Sequence, residues 1–87
     1  MRINHKRQEL IDDFYKKAKE KFPEIEFKDL SVSPDDPDHI WINVYEDMDD
    51  IRKREFRDFE VDKEVEIDDN YGYRITIMTE GPKMEYA

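Results

Sequence analysis

Seven residues, His39-Ile40-Trp41-Ile42-Asn43-Val44-Tyr45, alternate strictly between aliphatic side chains and aromatic or polar ones. A repeat of two belongs to extended chain, so Ile40, Ile42 and Val44 point to one face and His39, Trp41, Asn43 and Tyr45 to the other. β-branched and aromatic residues fit a pleated surface, and turn-forming residues bound the run on both sides. The segment reads as the central strand of a small sheet. Its aliphatic face needs helices to cover it, and its mixed face is left over.

Two flanking stretches can supply that cover. In residues 3–22, Ile3, Leu10, Ile11, Phe14, Ala18 and Phe22 recur at helical spacing. Asn4 is placed to cap the start. Asp12–Lys16 and Asp13–Lys17 are i,i+4 pairs in the favourable order, and Lys16, Lys17, Lys19 and Lys21 suit the negative end of the helix dipole. Pro23 disfavours helical backbone at Phe22 and ends the element. The second stretch follows the acids of residues 46–50, where Asp47 or Asp49 can act as N-cap. Phe56, Phe59, Lys63 and Ile67 share one helical face, which predicts a helix over 51–68 with Val61 and Val65 as an i,i+4 ridge off that face. A strand over 59–67 is the competing pattern, since Phe59, Val61, Val65 and Ile67 also alternate with acids. The dominance of Glu, Lys and Arg and the lack of a breaker favour helix.

Two further strands complete the set. Ile25 and Phe27 share one parity while Leu30 and Val32 share the other, so residues 25–32 need a bulge or break near Lys28 and Asp29. The Ser33-Pro34-Asp35-Asp36-Pro37-Asp38 run is turn chemistry joining this strand to the central one as a hairpin. Residues 71–79 form the last strand, with Tyr71, Tyr73, Ile75 and Ile77 facing the core and Arg74, Thr76 and Met78 facing away. Gly72 suggests a positive φ. The order is α-β-β-α-β: an α+β two-layer sandwich with two helices on one face of a three-stranded mixed sheet, the helix-linked strands parallel and joined by a right-handed crossover. Residues 1–80 read as a single domain and 81–87 as a flexible C-terminal tail.

Function is constrained mainly by what is missing. The chain has 87 residues, no cysteine and a net charge of −9. Disulfides, thiolate zinc sites and cysteine nucleophiles are therefore out of reach. Charge is uneven: residues 1–21 carry seven Lys/Arg and four Asp/Glu, against eight and twenty in the remainder. An acidic surface of this kind repels polyanions, so neither nucleic acid nor an anionic membrane is the expected partner. The order α-β-β-α-β is that of a bacterial KH module, but residues 47–70 contain no glycine and so no GXXG clamp. Arg52, Lys53, Arg54 and Arg57 are the only grouped phosphate contacts there, and they alternate with acids as a solvated helix face does. Gly72 and Gly81 do not precede a helix, which removes phosphate loops. No run reads as a secretory signal or a bilayer span, so a cytoplasmic location is the default.

Two acidic runs could offer hard ligands: Asp35, Asp36 and Asp38 with His39, and Glu46, Asp47, Asp49 and Asp50. Both lack the central glycine of a calcium loop. Ser33, His39 and the 35–38 acids could also suggest a small metal-dependent or hydrolytic enzyme, but nothing resembles a nucleophile elbow and turn chemistry accounts for the same residues. No catalytic, cofactor or metal site is assigned. The remaining feature is the mixed sheet face, Trp41, Asn43, Tyr45, Arg74 and Met78, together with Val61 and Val65. Trp, Tyr, Met and Arg are enriched in interfaces. The expectation is a non-catalytic protein–protein interaction module, binding a protein partner or a second copy as a homodimer; a fold-back of Met84 and Tyr86 over Trp41 is the competing use of that face.

The phrases Phe22-Pro23-Glu24-Ile25, Ser33 to Val44, and Tyr71-Gly72-Tyr73-Arg74-Ile75 resemble those of a small group of uncharacterised bacterial proteins. The resemblance spans most of the chain. It implies a helix over 51–68 and carries no activity.

Overall fold

A side-chain cap opens the chain's first helix. In the computed structural model, which describes residues 4–83, Asn4 Oδ1 accepts from the Arg7 N–H at 2.8 Å and helix α1 runs over His5–Lys21. Leu10, Ile11, Phe14 and Ala18 are its buried stripe; Ile3, expected on the same stripe, lies outside the described residues. Lys17 pairs with Asp13 at 3.0 Å as expected. Asp12 instead accepts from Gln8 at 2.9 Å, so its expected partner Lys16 is displaced by a donor one turn earlier. Phe22 leaves helical geometry at φ −127°, ψ 78°, as a residue before proline should. Lys19 reaches beyond the helix end and donates to the carbonyls of Pro23 and Ile25.

Strand β1 spans Glu26–Val32 and β2 spans His39–Tyr45, paired antiparallel. The register shifts between Phe27 and Asp29, which sets Lys28 in a bulge where the parity of the sequence demanded one. The hairpin closes through Ser33 N–H to His39 O at 2.9 Å and His39 N–H to Asp36 O at 3.0 Å. Asp36 Oδ1 also accepts from the Asp38 N–H, the Asx bond that makes aspartate a turn residue.

Helix α2 spans Asp50–Tyr71, with Asp49 as N-cap accepting from the Arg52 N–H at 2.8 Å. Residues 59–67 are therefore helix and not strand. The helix runs past residue 68 because nothing stops it before Gly72, which caps it in the left-handed region at φ 71° with its N–H on Asp68 O. This corrects the expectation for Tyr71: it ends the helix, 49% exposed, with the Lys6 ammonium 4.7 Å above its ring, and does not face the core from a strand. Open space surrounds the position a Gly72 Cβ would take. Gly72→Ala should therefore cost about 1 kcal/mol of backbone strain without a clash, and chemical denaturation with Gly72→Asn as the milder control checks this.

Strand β3, Arg74–Glu80, lies parallel to β2, giving the sheet order β1-β2-β3. The architecture is the expected α+β one, two helices and a three-stranded mixed sheet. Ile40, Ile42, Val44, Ile75 and Ile77 meet Leu10, Ile11, Phe14, Ala18, Phe22, Phe56 and Ile67 in one core. Phe22 is fully buried, and its ring meets Phe56 edge-on at 5.0 Å. Above it lies Arg52, 4.3 Å from the ring, with Nη2 donating to Lys21 O at 2.6 Å and Nε to Glu24 at 2.8 Å. One guanidinium thus ties the end of α1 to the start of α2. The Nε bond, with a longer one from Nη2 to the other Glu24 oxygen at 3.4 Å, holds Glu24 below the usual carboxylate range. Beyond β3, the Gly81 carbonyl accepts from the Glu46 N–H and Lys83 approaches Glu26 at 3.6 Å.

Candidate functional site

The strand register fixes which side chains share the face turned away from the core. Trp41 lies between Ser31 and Thr76, Asn43 between Asp29 and Met78, and Tyr45 between Glu26 and Glu80; His39 is beside Arg74. The aliphatic residues of β2 are at most 1% exposed, while His39, Trp41, Asn43 and Tyr45 are half-buried. The parity read from the sequence therefore holds on both faces.

Much of the polar rim is already bonded internally. Asn43 Nδ2 donates to Asp29 Oδ1 at 2.7 Å and to Ser31 Oγ at 2.9 Å. Lys28 bridges to Glu80 at 2.8 Å and lies 5.9 Å above the Tyr45 ring. Arg74 reaches Asp36 Oδ2 at 3.3 Å and is otherwise open to solvent. What remains on offer is the middle of the face, Trp41 with Met78, flanked by Tyr45. Met84 and Tyr86, the expected fold-back, lie outside the described residues.

The face continues onto α2. A groove of about 510 Å³ runs between α2 and β3, walled by Met48, Phe56, Val61 and Met78. Val61 and Met78, assigned from separate elements, thus line one depression; Val65, 53% exposed, lies one helical turn further along. At the groove's floor is a feature that the sequence reading missed. Glu60 is buried and its Oε2 accepts from the Ile77 N–H at 3.1 Å. Glu64 Oε1 accepts from Thr76 Oγ1 at 2.8 Å, and Thr76 Oγ1 is 2.6 Å from His39 Nε2. Because the threonine proton is used on Glu64, the His39 nitrogen is the donor in the second bond. Burial pushes Glu60 up to about 8, with the hydrogen bond and charge of Glu64 adding to it and the Ile77 N–H and Arg57 opposing.

At neutral pH Glu60 is thus a carboxylic acid. Its carbonyl accepts from the strand while its hydroxyl is free to donate to Glu64. It does for β3 what the peptide group of a further strand would do. Its one trace in the sequence is position: Glu60 follows the buried Phe56 by four residues and so stands on the apolar side of α2, a placement that by itself does not set it apart from other helix charges.

The other candidate groups are scattered. Of the turn acids, Asp36 pairs with Arg74 and Asp38 lies 3.7 Å from Arg7, while His39 turns to Thr76. In the second acidic run, Glu46 accepts from the Met48 N–H and faces Lys53 at 3.7 Å, and Asp49 is the helix cap. The basic cluster is divided as well: Arg52 is committed to Glu24 and Lys21 O, Lys53 faces Glu46, and Arg57 lines the groove. Among the described residues no group of three or more acids and histidines is arranged to hold a metal ion, and no helix is long and apolar enough to cross a membrane. Comparison with protein-family models, with curated proteins and with solved structures finds no match.

Proposed function

We propose that the protein is a non-catalytic interaction module whose docking surface is the Trp41–Tyr45–Met78 face with the Val61–Val65 ridge, and that its occupant is a second copy of the chain. The observation that carries the reading is the joining of Val61 and Met78 in one groove that Thr76, the strand neighbour of the half-buried Trp41, also lines. Aromatic and Met side chains grouped in this way, with a polar rim around them, are the anatomy of an interface core.

Charge complementarity supports a second copy over a foreign partner. The exposed Arg74 guanidinium stands at one end of the face and Glu80 at the other. A two-fold axis running across the strands brings each Arg74 over the Glu80 of the second copy, as an isologous contact requires. The sheet face measures roughly 23 by 14 Å from strand rise and spacing. Two such faces approach, without the helix ridge, only about two thirds of the ~1,000 Å² expected of a specific interface. The association is accordingly weak, micromolar or looser. Sedimentation equilibrium near pH 6 is expected to show a concentration-dependent dimer that Met78→Glu abolishes and that Arg74→Glu weakens. A monomer up to millimolar concentration, or a dimer indifferent to Met78→Glu, would overturn the reading.

A further inference from the structure

The groove, the Glu60–Glu64 pair and the docking face form one piece of structure. Val61 and Met78 line the same groove as the carboxyl pair, and the ring of His39, which Thr76 links to Glu64, lies nearly perpendicular to the Trp41 ring with centroids 6.3 Å apart. Glu60 and Glu64 together bridge α2 to consecutive residues of β3, one through the backbone of Ile77 and one through the side chain of Thr76.

We propose that the chain Ile77–Glu60–Glu64–Thr76–His39 is a proton switch beneath the docking face, closed while the carboxyl pair holds one proton and opened when that proton leaves. The inference rests on the docking reading for its consequence, though not for its geometry. With the proton in place, Glu60 satisfies Ile77 and can share its hydrogen with Glu64, so α2 is latched to β3 and Val61 is held beside Met78. Without it, two like charges one helical turn apart repel. Burial penalises the charged form more than the Ile77 N–H favours it, so Glu60 turns out of the groove to water, giving up Ile77 and drawing Val61 away from Met78.

The other charged or titratable groups around Glu60 are few. On α2 they are Arg57, Lys53 and Glu64; at the end of β2, Glu46; on β2, His39 by way of Thr76. The part of β3 that lines the groove, Thr76 to Thr79, adds none. Arg57 favours the charged form and Glu64 opposes it, while Lys53 faces Glu46. Burial then decides in favour of the proton, as the raised value of Glu60 indicates.

The experiment compares wild type and Glu60→Gln at about pH 6 and about pH 9, in two measurements on the full chain. The first is amide exchange at Ile77 with Trp41 emission, in dilute monomer. The second is the dimer constant by sedimentation. For wild type, Ile77 protection should drop by about tenfold or more beyond the intrinsic pH effect, with a change in Trp41 emission, and dimerisation should weaken by a similar factor. Glu60→Gln carries the same acceptor and donor without a titrating proton, so it should show neither change. If Ile77 and Trp41 respond in wild type alone while no dimer forms at either pH, the switch stands and the docking reading falls. If Ile77 protection and Trp41 emission are the same at both pH values, or respond equally in Glu60→Gln, the switch is overturned whether or not the protein dimerises.

Discussion

Replacing Glu60 by glutamine should flatten the dependence of folding stability on pH and raise stability in alkaline solution. The sign follows from linkage. Glu60 stands at about 8 in the folded chain against an ordinary value of 4.5, so between those values the folded state binds more protons than the unfolded one. Stability then falls as pH rises. The contribution is complete below about pH 4.5 and is lost as pH passes through about 8. Glu24 and Asp36 act in the opposite sense. Arg52 holds Glu24 down, and the Asp38 N–H followed by Arg74 holds Asp36 down, so their contributions are present above the ordinary carboxylate values and vanish as the solution is acidified. Wild type should accordingly be most stable in mildly acidic solution. Glutamine keeps the oxygen for Ile77 and a donor for Glu64 while removing the titration. Allowing for solvent at the mouth of the groove, the gain near pH 9 is on the order of 2–3 kcal/mol. Urea unfolding across the pH range measures it; parallel curves for the two proteins would contradict the assignment of the proton.

Phe22→Ala should have the largest effect of any single substitution in the core. The ring is fully buried, meets Phe56 edge-on and Phe59 at 5.6 Å, and carries the Arg52 guanidinium on its face. Truncation removes the ring and leaves a cavity at the joint of the two helices, costing about 3–5 kcal/mol. It also removes the surface against which Arg52 is positioned. A single domain of this size has roughly 5 kcal/mol or a little more to lose, so the variant should keep about 2 kcal/mol or less and melt far below wild type. Far-ultraviolet circular dichroism with a thermal melt decides this, and a cooperative transition close to that of wild type would show that the helices repack without the ring.

Local pattern carried most of the fold. The alternation through residues 39–45 placed Trp41 and Ile42 on opposite faces, and the clash of parity between Phe27 and Leu30 located the bulge at Lys28. Gly72 was legible as a residue with positive φ, though its service as a helix cap was not, because nothing in Asp68-Asp69-Asn70-Tyr71 distinguishes a continuing helix from a turn. The candidate face was legible residue by residue, since strand parity determines exposure. The carboxyl pair was not. Its meaning depends on an Ile77 N–H seventeen residues away and on burial that raises a proton affinity, and neither has a local signature. A glutamate four residues from Phe56 looks, in sequence, like any other charge on an amphipathic helix.

The two outer strands share a detail with a bearing on how the protein behaves when crowded. On β1 the Phe27 N–H is taken by the Tyr15 hydroxyl at 3.1 Å, and on β3 the Ile77 N–H is taken by Glu60. In each case a helix plugs a main-chain donor from which a cross-β stack could otherwise recruit a neighbour. Such plugs guard against fibrils only while the helices stay docked, so slow aggregation of this protein should begin from partial helix detachment and not from the intact fold.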